Sequence, residues 1–243
     1  MSSILILGAT SDVGKAITFK YASHGHNIIL AGRKIEELNI IRSDLEIRFE
    51  IKVEVYFFDA ENIKTHTTFC DQLQPFPEKT FCVFGYLGNH ELAQRDLIES
   101  TKIMMVNYVG AVSILSLIAN IYEINKSGLI VGVSSVAGDR GRQSNYYYGS
   151  AKAGFTTYLS GLRNRLYKSG VHVLTVKPGF IDTKMIEGIS TPKQLTASPL
   201  EVAKAIYNAD KKKKNVIYVI SFWRVIMFII SVIPEFIFKR LRL

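Results

Sequence analysis

The sequence predicts a single α/β domain built on a doubly wound parallel sheet with helices on both faces. Short apolar runs of strand length alternate along the chain with longer segments of helical periodicity, as in sheets made of strand–helix–strand units. A glycine-containing turn at residues 8–14 joins the first strand to the first helix. The length of 243 residues suits one domain with an ample core. We expect the domain to cover residues 1–220 and an amphipathic helical extension to cover residues 221–243.

The first strand, residues 3–7, leads into Gly8-Ala9-Thr10-Ser11-Asp12-Val13-Gly14, and a helical pattern follows from Ala16. Backbone N–H groups at a helix N-terminus bind phosphate, and glycine lets the phosphate approach the backbone. The turn therefore indicates a Rossmann-like dinucleotide site, although a turn that only caps the helix is the alternative. Asp12 suits a helix start, and because its carboxylate would repel a pyrophosphate we expect it to point away.

The end of the second strand, residues 27–31, predicts which dinucleotide binds. Sites for NAD usually carry an acidic residue here for the ribose hydroxyls, whereas an arginine accommodates the 2′-phosphate of NADP. Gly32 occupies the position of the acid and Arg33 follows it. The pattern favours NADP(H); an exposed arginine at a strand end is the alternative.

The later elements continue the alternation of strands and helices. We predict helices over residues 34–49, 61–73, 97–125, 147–168 and 199–209, and strands over residues 52–58, 81–84, 129–133, 171–176 and 216–219. Pro75 and Pro77 mark a loop, and residues 185–195 are expected to form a mobile lid over a substrate.

Three side chains that suit proton transfer converge in this scheme. Tyr148 and Lys152 share one helix face at a spacing of four residues, and Ser135 follows the buried strand 129–133. A nearby lysine cation favours the phenolate and so lowers a tyrosine pKa, which suits Tyr148 for acid–base work. A serine hydroxyl can hold the oxygen of a carbonyl or alcohol. The alternative for an isolated Tyr-x-x-x-Lys is a solvated helix face.

Together, the turn at 8–14, Ser135 and the Tyr148–Lys152 pair resemble the short-chain dehydrogenase/reductase family over about residues 3–220. The resemblance implies an oxidoreductase that interconverts a ketone and a secondary alcohol with NADP(H). It implies catalytic roles for Asn107, Ser135, Tyr148 and Lys152, with Asn107 holding a water that links Lys152 to solvent. The cofactor-binding residues that it implies are Gly8, Thr10, Ser11, Val13, Gly14, Arg33, Asp59, Gly88, Tyr148, Lys152, Pro178, Gly179, Ile181 and Thr183. It also implies a homodimer or homotetramer formed through helices 97–125 and 147–168.

The chain departs from the family pattern at two places. Asp12 stands where the family has its middle glycine, and Gly85-Tyr86-Leu87-Gly88 stands where Asn-Asn-Ala-Gly is usual. The second departure removes the usual side-chain bracing, so the rigidity of this loop is in question. A non-catalytic NADP(H)-binding regulator or scaffold is therefore the alternative function.

A second arginine motif lies in Gly138-Asp139-Arg140-Gly141-Arg142. This loop follows the strand of Ser135 and is expected beside the substrate. Its two arginines could clamp a phosphate or carboxylate through paired hydrogen bonds; a solvated turn is the favoured alternative.

The positive charge is concentrated near the C-terminus. Residues 211–243 contain eight basic residues and one acid, which gives +7 of the net +9. The other 210 residues are therefore close to neutral, and a nucleic-acid-binding surface is not indicated.

The apolar run between Arg224 and Glu235 is shorter than the roughly 20 residues of a membrane span. We predict an amphipathic helix, broken at Pro234, that binds either a membrane surface or a protein surface. Its polar stripe consists of Arg224, Ser231, Glu235, Lys239 and Arg242.

The tail, the loop 138–142 and the run Pro178–Met185 resemble one branch of the family, the keto-reductase subunit of decaprenyl-phosphoryl-ribose 2′-epimerase. This branch implies a lipid-linked sugar or another lipophilic carbonyl or alcohol as substrate.

Only two cysteines, Cys70 and Cys82, are present, without metal-ligand spacing, and the apolar start of the chain is interpreted as a strand and not a signal peptide. We expect an enzyme that uses no metal and is either free in the cytoplasm or peripheral at the inner face of the membrane.

Overall fold

Seven parallel strands form one sheet in the computed structural model, which describes residues 3–188 and 190–241. They are β1 (Ser3–Leu7), β2 (Asn27–Gly32), β3 (Val53–Phe57), β4 (Lys79–Cys82), β5 (Leu129–Val133), β6 (His172–Lys177) and β9 (Val216–Tyr218). Their order across the sheet is β3-β2-β1-β4-β5-β6-β9. Two short strands, β7 (Phe180–Ile181) and β8 (Thr196–Ala197), pair separately. The strand order reverses between β1 and β4, which opens a crevice at their carboxyl ends.

Helices cover both faces of the sheet. They are α1 (Asp12–Ala22), α2 (Ile35–Phe49), α3 (His66–Gln72), α4 (His90–Ala93), α5 (Leu97–Met104), α6 (Gly110–Asn125), α7 (Tyr146–Leu166), α8 (Pro199–Lys211), α9 (Phe222–Val232) and α10 (Glu235–Phe238). The central strand shows why both faces need cover. Ile4 and Ile6 belong to a core with α1, α2 and α8, whereas Leu5 and Leu7 belong to a core with α3, α6 and α7. Side chains alternate between the faces of a strand, so these apolar runs need helices on each side. The predicted doubly wound fold is confirmed.

The long helix predicted over residues 97–125 is interrupted. A five-residue π-helical turn, Met105–Val109, joins α5 to α6 and contains Asn107. By length and composition the segment Leu97–Asn125 could cross a membrane. Its apolar residues Ile114 and Ile118 are, however, fully buried against the sheet. A π-turn inserts one residue into a helix and often marks a functional site.

The remaining boundaries agree with the prediction to within a few residues, apart from two elements. Strand β4 covers residues 79–82 and not 81–84, although the Val83 N–H still donates to the Leu7 carbonyl of β1 at 3.0 Å. The helix predicted over 61–73 consists of a 3₁₀ turn, Ile63–Thr65, followed by α3.

The tail folds back onto the domain. Helix α9 buries Trp223 and Met227 against Val136, and the chain breaks at Pro234 before α10, as predicted. The opposite side of the tail remains apolar and exposed. That side carries Phe222, Val225, Phe228, Ile229, Val232 and Phe236. Arg242, predicted to lie in the polar stripe, falls outside the described residues.

Candidate active site

A cavity of about 1070 Å³ opens at the carboxyl ends of β1, β4, β5 and β6. The turn after β1, Ser135 after β5, and Pro178 after β6 all line it. Ligands of open α/β sheets bind at such a point, where the strand order reverses. The topology therefore brings together residues that are far apart in the sequence.

The glycine turn has the shape of a phosphate cradle. Gly8 adopts a φ of +91°, and a Cβ atom there would lie 2.7 Å from the backbone nitrogen of Phe84. A Cβ atom on Gly14 would overlap the carbonyl oxygen of Gly8. Ser11 caps α1: its Oγ accepts from the Gly14 N–H at 3.0 Å and donates to the Gly8 carbonyl at 2.8 Å. The turn brings backbone and the start of α1 to the cavity, lined there by Thr10, Ser11 and Val13, as a dinucleotide phosphate requires.

Asp12, expected to point away from the phosphate site, does line the cavity, but its carboxylate is bonded to the segment that follows Thr183. One oxygen accepts a hydrogen bond of 3.1 Å from the backbone N–H of Lys184. The residue that replaces the family's glycine thus connects the phosphate turn to the predicted lid.

Arg33 and Asp59 lie beside the cavity and do not line it. The Arg33 side chain is 64% exposed, and its nearest carboxylate, Glu61, is 3.5 Å away. An exposed pair at this distance contributes little, so the guanidinium is accessible to another anion. The Asp59 carboxylate accepts from the Glu61 N–H at 3.1 Å. Lys34, which the sequence did not single out, does line the cavity.

The three catalytic candidates are brought together at the centre of the cavity. Ser135 follows β5, and its Oγ accepts from the Ala137 N–H at 3.1 Å. Tyr148 and Lys152 lie on the first turns of α7, with the Lys152 ammonium 5.7 Å from the Tyr148 ring centroid. Lys152 is only 3% exposed and donates to the Val133 carbonyl at 3.1 Å. All three side chains line the cavity.

Burial shifts the pKa values of Tyr148 and Lys152 in opposite directions. It raises the pKa of Tyr148 to about 12, opposed by a side-chain hydrogen bond with Ser135. Burial also lowers the pKa of Lys152 to about 8. The expectation that Lys152 lowers the pKa of Tyr148 is therefore wrong for the protein without ligands. Desolvation disfavours the charged form of each group, and at 5.7 Å from the ring the ammonium does not offset it.

The unusual loop Gly85–Gly88 is braced by residues on the helix below it. Asn107 donates to the Tyr86 carbonyl at 2.6 Å and accepts from the Tyr86 N–H at 3.2 Å. The buried carboxylate of Glu99 accepts from the Tyr86 hydroxyl at 2.9 Å and from the Asn89 N–H at 2.7 Å. Gly88 has a φ of +69°. The loop therefore has side-chain bracing of its own. Asn107 does not line the cavity, and its predicted water relay stays a prediction.

The turn after β6 forms the wall opposite the catalytic residues. Pro178, Gly179, Ile181 and Thr183 line the cavity, and the Thr183 hydroxyl donates to the Ile181 carbonyl at 3.3 Å. A Cβ atom on Gly179 would overlap the Trp223 indole. Trp223 also lines the cavity, and its Nε1 donates to the Leu195 carbonyl at 3.0 Å. The sequence analysis placed Trp223 only within the tail and did not identify it as a wall of the cavity.

The loop 138–142 forms neither the arginine clamp nor the solvated turn that the sequence analysis favoured, because its two arginines take separate places. Arg140 turns toward the tail, where it donates to the carbonyl oxygens that end α9 and pairs with Glu235 at 2.8 Å. Its guanidinium also lies 3.7 Å from the Phe238 ring centroid. Arg142 instead lines the cavity. One arginine of the motif therefore holds the tail, and only the other faces the cavity.

The comparisons with known proteins agree with this geometry. A model of the short chain dehydrogenase family matches residues 2–194. An uncharacterised oxidoreductase of Mycobacterium tuberculosis is 32% identical over 241 residues, which cover 98% of this chain and 96% of the relative.

Solved structures share the fold. A short-chain dehydrogenase from Sphingobium yanoikuyae, solved in complex with NADPH, matches with a TM-score of 0.83 at 20% identity and covers 97% of both chains. A short-chain dehydrogenase from Burkholderia cenocepacia, solved in complex with NADP, matches with a TM-score of 0.84 at 20% identity, covering 98% of this chain and 96% of the other. The family model, the extent of the match to the mycobacterial relative and the shared fold lead to one conclusion: the chain belongs to the short-chain dehydrogenase family.

Proposed function

We propose that this protein interconverts a ketone and a secondary alcohol by hydride transfer, with NADP(H) as its cofactor. It is an oxidoreductase by family. The observation that carries the proposed reaction is the convergence of Ser135, Tyr148 and Lys152 in one cavity, opposite a glycine turn shaped for phosphate. A proton donor, an oxygen-binding hydroxyl and a cofactor cradle are the parts that carbonyl reduction needs.

The choice of NADP(H) rests on the end of β2 and on the solved structures. Two proteins of the same fold are described in complex with NADPH or NADP. In this chain Gly32 offers no carboxylate to the ribose, and the Arg33 guanidinium, exposed and held only by a 3.5 Å ion pair with Glu61, can exchange this partner for a 2′-phosphate. Gly8 and Gly14 let the turn pack closely against Phe84 and against its own backbone, which places Thr10, Ser11 and Val13 along the cavity at the start of α1. Bound NADPH would supply the hydride.

In the reductive direction Tyr148 donates the proton to the substrate oxygen. With a pKa raised to about 12 by burial, the phenol is fully protonated at neutral pH and ready to donate. Ser135 holds the same oxygen and stabilises the charge that develops on it. Alcohol oxidation needs the phenolate instead.

Lys152 supplies positive charge beside the tyrosine. Its pKa of about 8 leaves it mostly charged at pH 7, and its hydrogen bond to the Val133 carbonyl fixes its position. A cation near Tyr148 stabilises the phenolate that remains after the proton has been donated. Asn107 would hold the water through which the proton is replaced.

The substitution Tyr148→Phe tests the reaction. We expect it to retain NADPH binding, measured by fluorescence titration, and to lose turnover on a ketone panel by about 100-fold or more. The neighbouring Tyr147→Phe is the matched control. Turnover that survives in Tyr148→Phe would rule out the proposed mechanism. Cofactor binding by the wild type without turnover of any ketone would favour the non-catalytic regulator or scaffold.

For the tail we propose an anionic membrane surface as the partner, at the inner face of the membrane. The exposed apolar side of α9 and α10 is flanked by basic residues, and residues 211–243 carry +7. An apolar face with flanking cations is typical of helices that lie in a membrane interface. This placement favours a lipid-linked sugar or another lipophilic substrate, since Trp223 of α9 also lines the cavity.

Vesicle flotation tests this placement. We expect the full chain to float with vesicles containing phosphatidylglycerol and not with pure phosphatidylcholine. Phe228→Glu, on the exposed side of α9, should abolish flotation. Ile47→Glu, at an equally exposed position on α2, should not. A protein that stays at the bottom of the gradient with anionic vesicles refutes the membrane proposal.

We also propose that the protein is a homodimer or homotetramer formed through the long helices. Met104, Tyr108 and Ile124 expose apolar surface on the segment 97–125, which supports this contact. Light scattering on Ile124→Glu tests it, because a charge at the contact should release monomers. An unchanged mass for that variant, or a monomeric wild type, speaks against it.

A further inference from the structure

One wall of the cavity carries three polar atoms that are buried and lack hydrogen-bond partners. They are the Nε of Arg142, the Oδ1 of Asn145 and the Nε2 of His90, and all three residues line the cavity. Buried polar groups in proteins almost always have a partner, and leaving one without is costly. Three such atoms on one wall indicate that a ligand supplies the missing bonds.

Arg142 is a half-buried cation without a counterion, and its Nε is fully buried. No ion pair within residues 3–188 and 190–241 includes it. The nearest acid in its sequence neighbourhood, Asp139, is occupied: it accepts from Lys177 at 2.5 Å and from the Tyr218 hydroxyl at 2.8 Å. Burial lowers the pKa of Arg142, opposed by the charge of Asp139. A guanidinium nevertheless stays protonated in proteins, so a half-buried positive charge without an ion-pair partner faces the cavity.

Asn145 and His90 line the same cavity as Arg142, and each is held by a contact of its own. The Asn145 N–H bonds the Arg142 carbonyl at 3.2 Å, so one turn presents both side chains. Although Asn145 precedes α7, its side chain makes no capping bond to the helix. The His90 ring packs edge-on against Tyr146, with ring centroids 4.6 Å apart. The three groups therefore form a fixed set: a cation, an amide oxygen that accepts, and an imidazole nitrogen.

The geometry points to a subsite for an oxyanion on the substrate, a phosphate or carboxylate that pairs with Arg142 while a neighbouring substrate hydroxyl bonds Asn145 or His90. This inference rests on the proposed function, because the subsite shares its cavity with Tyr148. It makes the substrate an anionic hydroxyketone. The planar guanidinium can bind such a group through two parallel N–H donors, Nε among them.

The cofactor's own phosphates are expected elsewhere. Their cradle is the turn 8–14, after β1, and the 2′-phosphate contact is Arg33, after β2. Arg142 lies instead in the segment between Ser135 and Tyr148, on the side of the cavity where the substrate oxygen is held. The subsite therefore serves the substrate.

Binding to the complex with NADP⁺ tests the subsite without requiring turnover. Calorimetry would compare dihydroxyacetone phosphate with dihydroxyacetone, and 4-oxopentanoate with 2-pentanone, so that the two pairs separate phosphate from carboxylate. Emission of Trp223, the only tryptophan in the chain, gives a second signal from the same cavity. We expect the full-length wild type to prefer one anionic member of a pair by about tenfold or more, the usual effect of a hydrogen bond to a charged group.

In Arg142→Gln this preference should fall to near unity, whereas the exposed control Arg95→Gln should keep it. Equal affinity for anionic and neutral members in the wild type overturns the subsite, as does a preference that survives in Arg142→Gln. Weaker NADP⁺ binding by Arg142→Gln would assign the arginine to the cofactor and also overturn it. The Tyr148→Phe variant, which should lose turnover, should keep the preference for the anionic ligand. A failure of the proposed reaction is therefore distinguishable from a failure of the subsite.

Discussion

Asn107 holds Tyr86 by both of its backbone polar groups, donating to the carbonyl at 2.6 Å and accepting from the N–H at 3.2 Å. The same side chain donates to the Ile103 carbonyl at 2.8 Å. Asn107 lies in the π-helical turn, which accommodates one extra residue in the helix. The turn thus places an amide beneath a loop that lacks the family's own asparagines.

Replacing Asn107 by Leu should destabilise the protein by about 3 kcal/mol, because it leaves the buried backbone groups of Tyr86 and Ile103 without partners. Urea denaturation measures this. Asn125→Leu, at the exposed end of α6, is the control and should change the free energy of unfolding by less than about 0.5 kcal/mol. A similarly small effect at Asn107 would show that the loop does not depend on this bracing.

Replacing Lys152 by Met should stabilise the protein at pH 7 while abolishing turnover. Lowering the lysine pKa from 10.5 to about 8 corresponds to about 3 kcal/mol of unfavourable burial. Losing the bond to Val133 offsets about 1 kcal/mol, which leaves a gain of about 2 kcal/mol.

The difference in stability between the wild type and Lys152→Met should change with pH. Between pH 8 and 10.5 the unfolded chain holds a proton on Lys152 that the folded chain has lost, so the wild type gains stability as pH rises. The advantage of Lys152→Met should therefore shrink over this range. Denaturation midpoints from pH 7 to 10 would show it, with the exposed Lys168→Met as control. A constant difference would mean that the pKa of Lys152 is not lowered.

Replacing Gly179 by Ala should displace Trp223, since the new Cβ would overlap the indole. We expect a loss of about 2 kcal/mol and a red shift in tryptophan emission. Combining it with Trp223→Ala should remove most of the added cost, because the two residues are in contact. Gly141→Ala, where a Cβ meets no atom within 4 Å, is the control. Unshifted emission in Gly179→Ala would contradict the predicted contact.

Replacing Arg33 by Gln should weaken NADPH binding by about tenfold or more, as the loss of a charged hydrogen bond does, and leave NADH binding unaltered. Fluorescence titration with each cofactor measures the ratio. Arg48→Gln, on the far end of α2, is the control. If the preference for NADPH survives, another residue holds the 2′-phosphate, and Lys34, which lines the cavity, would be tested next.

The sheet and the convergence of Ser135 with Tyr148 could be predicted because their signals are local. Apolar runs, a glycine turn and a spacing of four residues are all visible within a short stretch of sequence. The topology then brings the strand ends together without further information. Protonation could not be predicted in this way. The pKa of Tyr148 depends on its burial, and the sequence shows only that a lysine is nearby.

Contacts between residues that are far apart in the sequence could not be predicted either. Arg140 binds carbonyl groups about ninety residues away, and no periodicity connects a loop arginine to a distant helix end. The same holds for Trp223 and Gly179, whose contact depends on how α9 packs. The amphipathic pattern of the tail predicted two possible partners, and in the structure a narrow side packs on the domain while the wide side stays exposed.

The position of Trp223 in the chain has a consequence for biosynthesis. Trp223 follows β9, the last strand of the sheet, so a ribosome makes every strand and all other lining residues of the cavity before it makes this wall. During synthesis the nascent domain can form its sheet and bring Ser135 near Tyr148 while one side of the cavity is still open. Completion of the enzyme is therefore a late event, and proteolysis just behind β9 would return the molecule to that unfinished form.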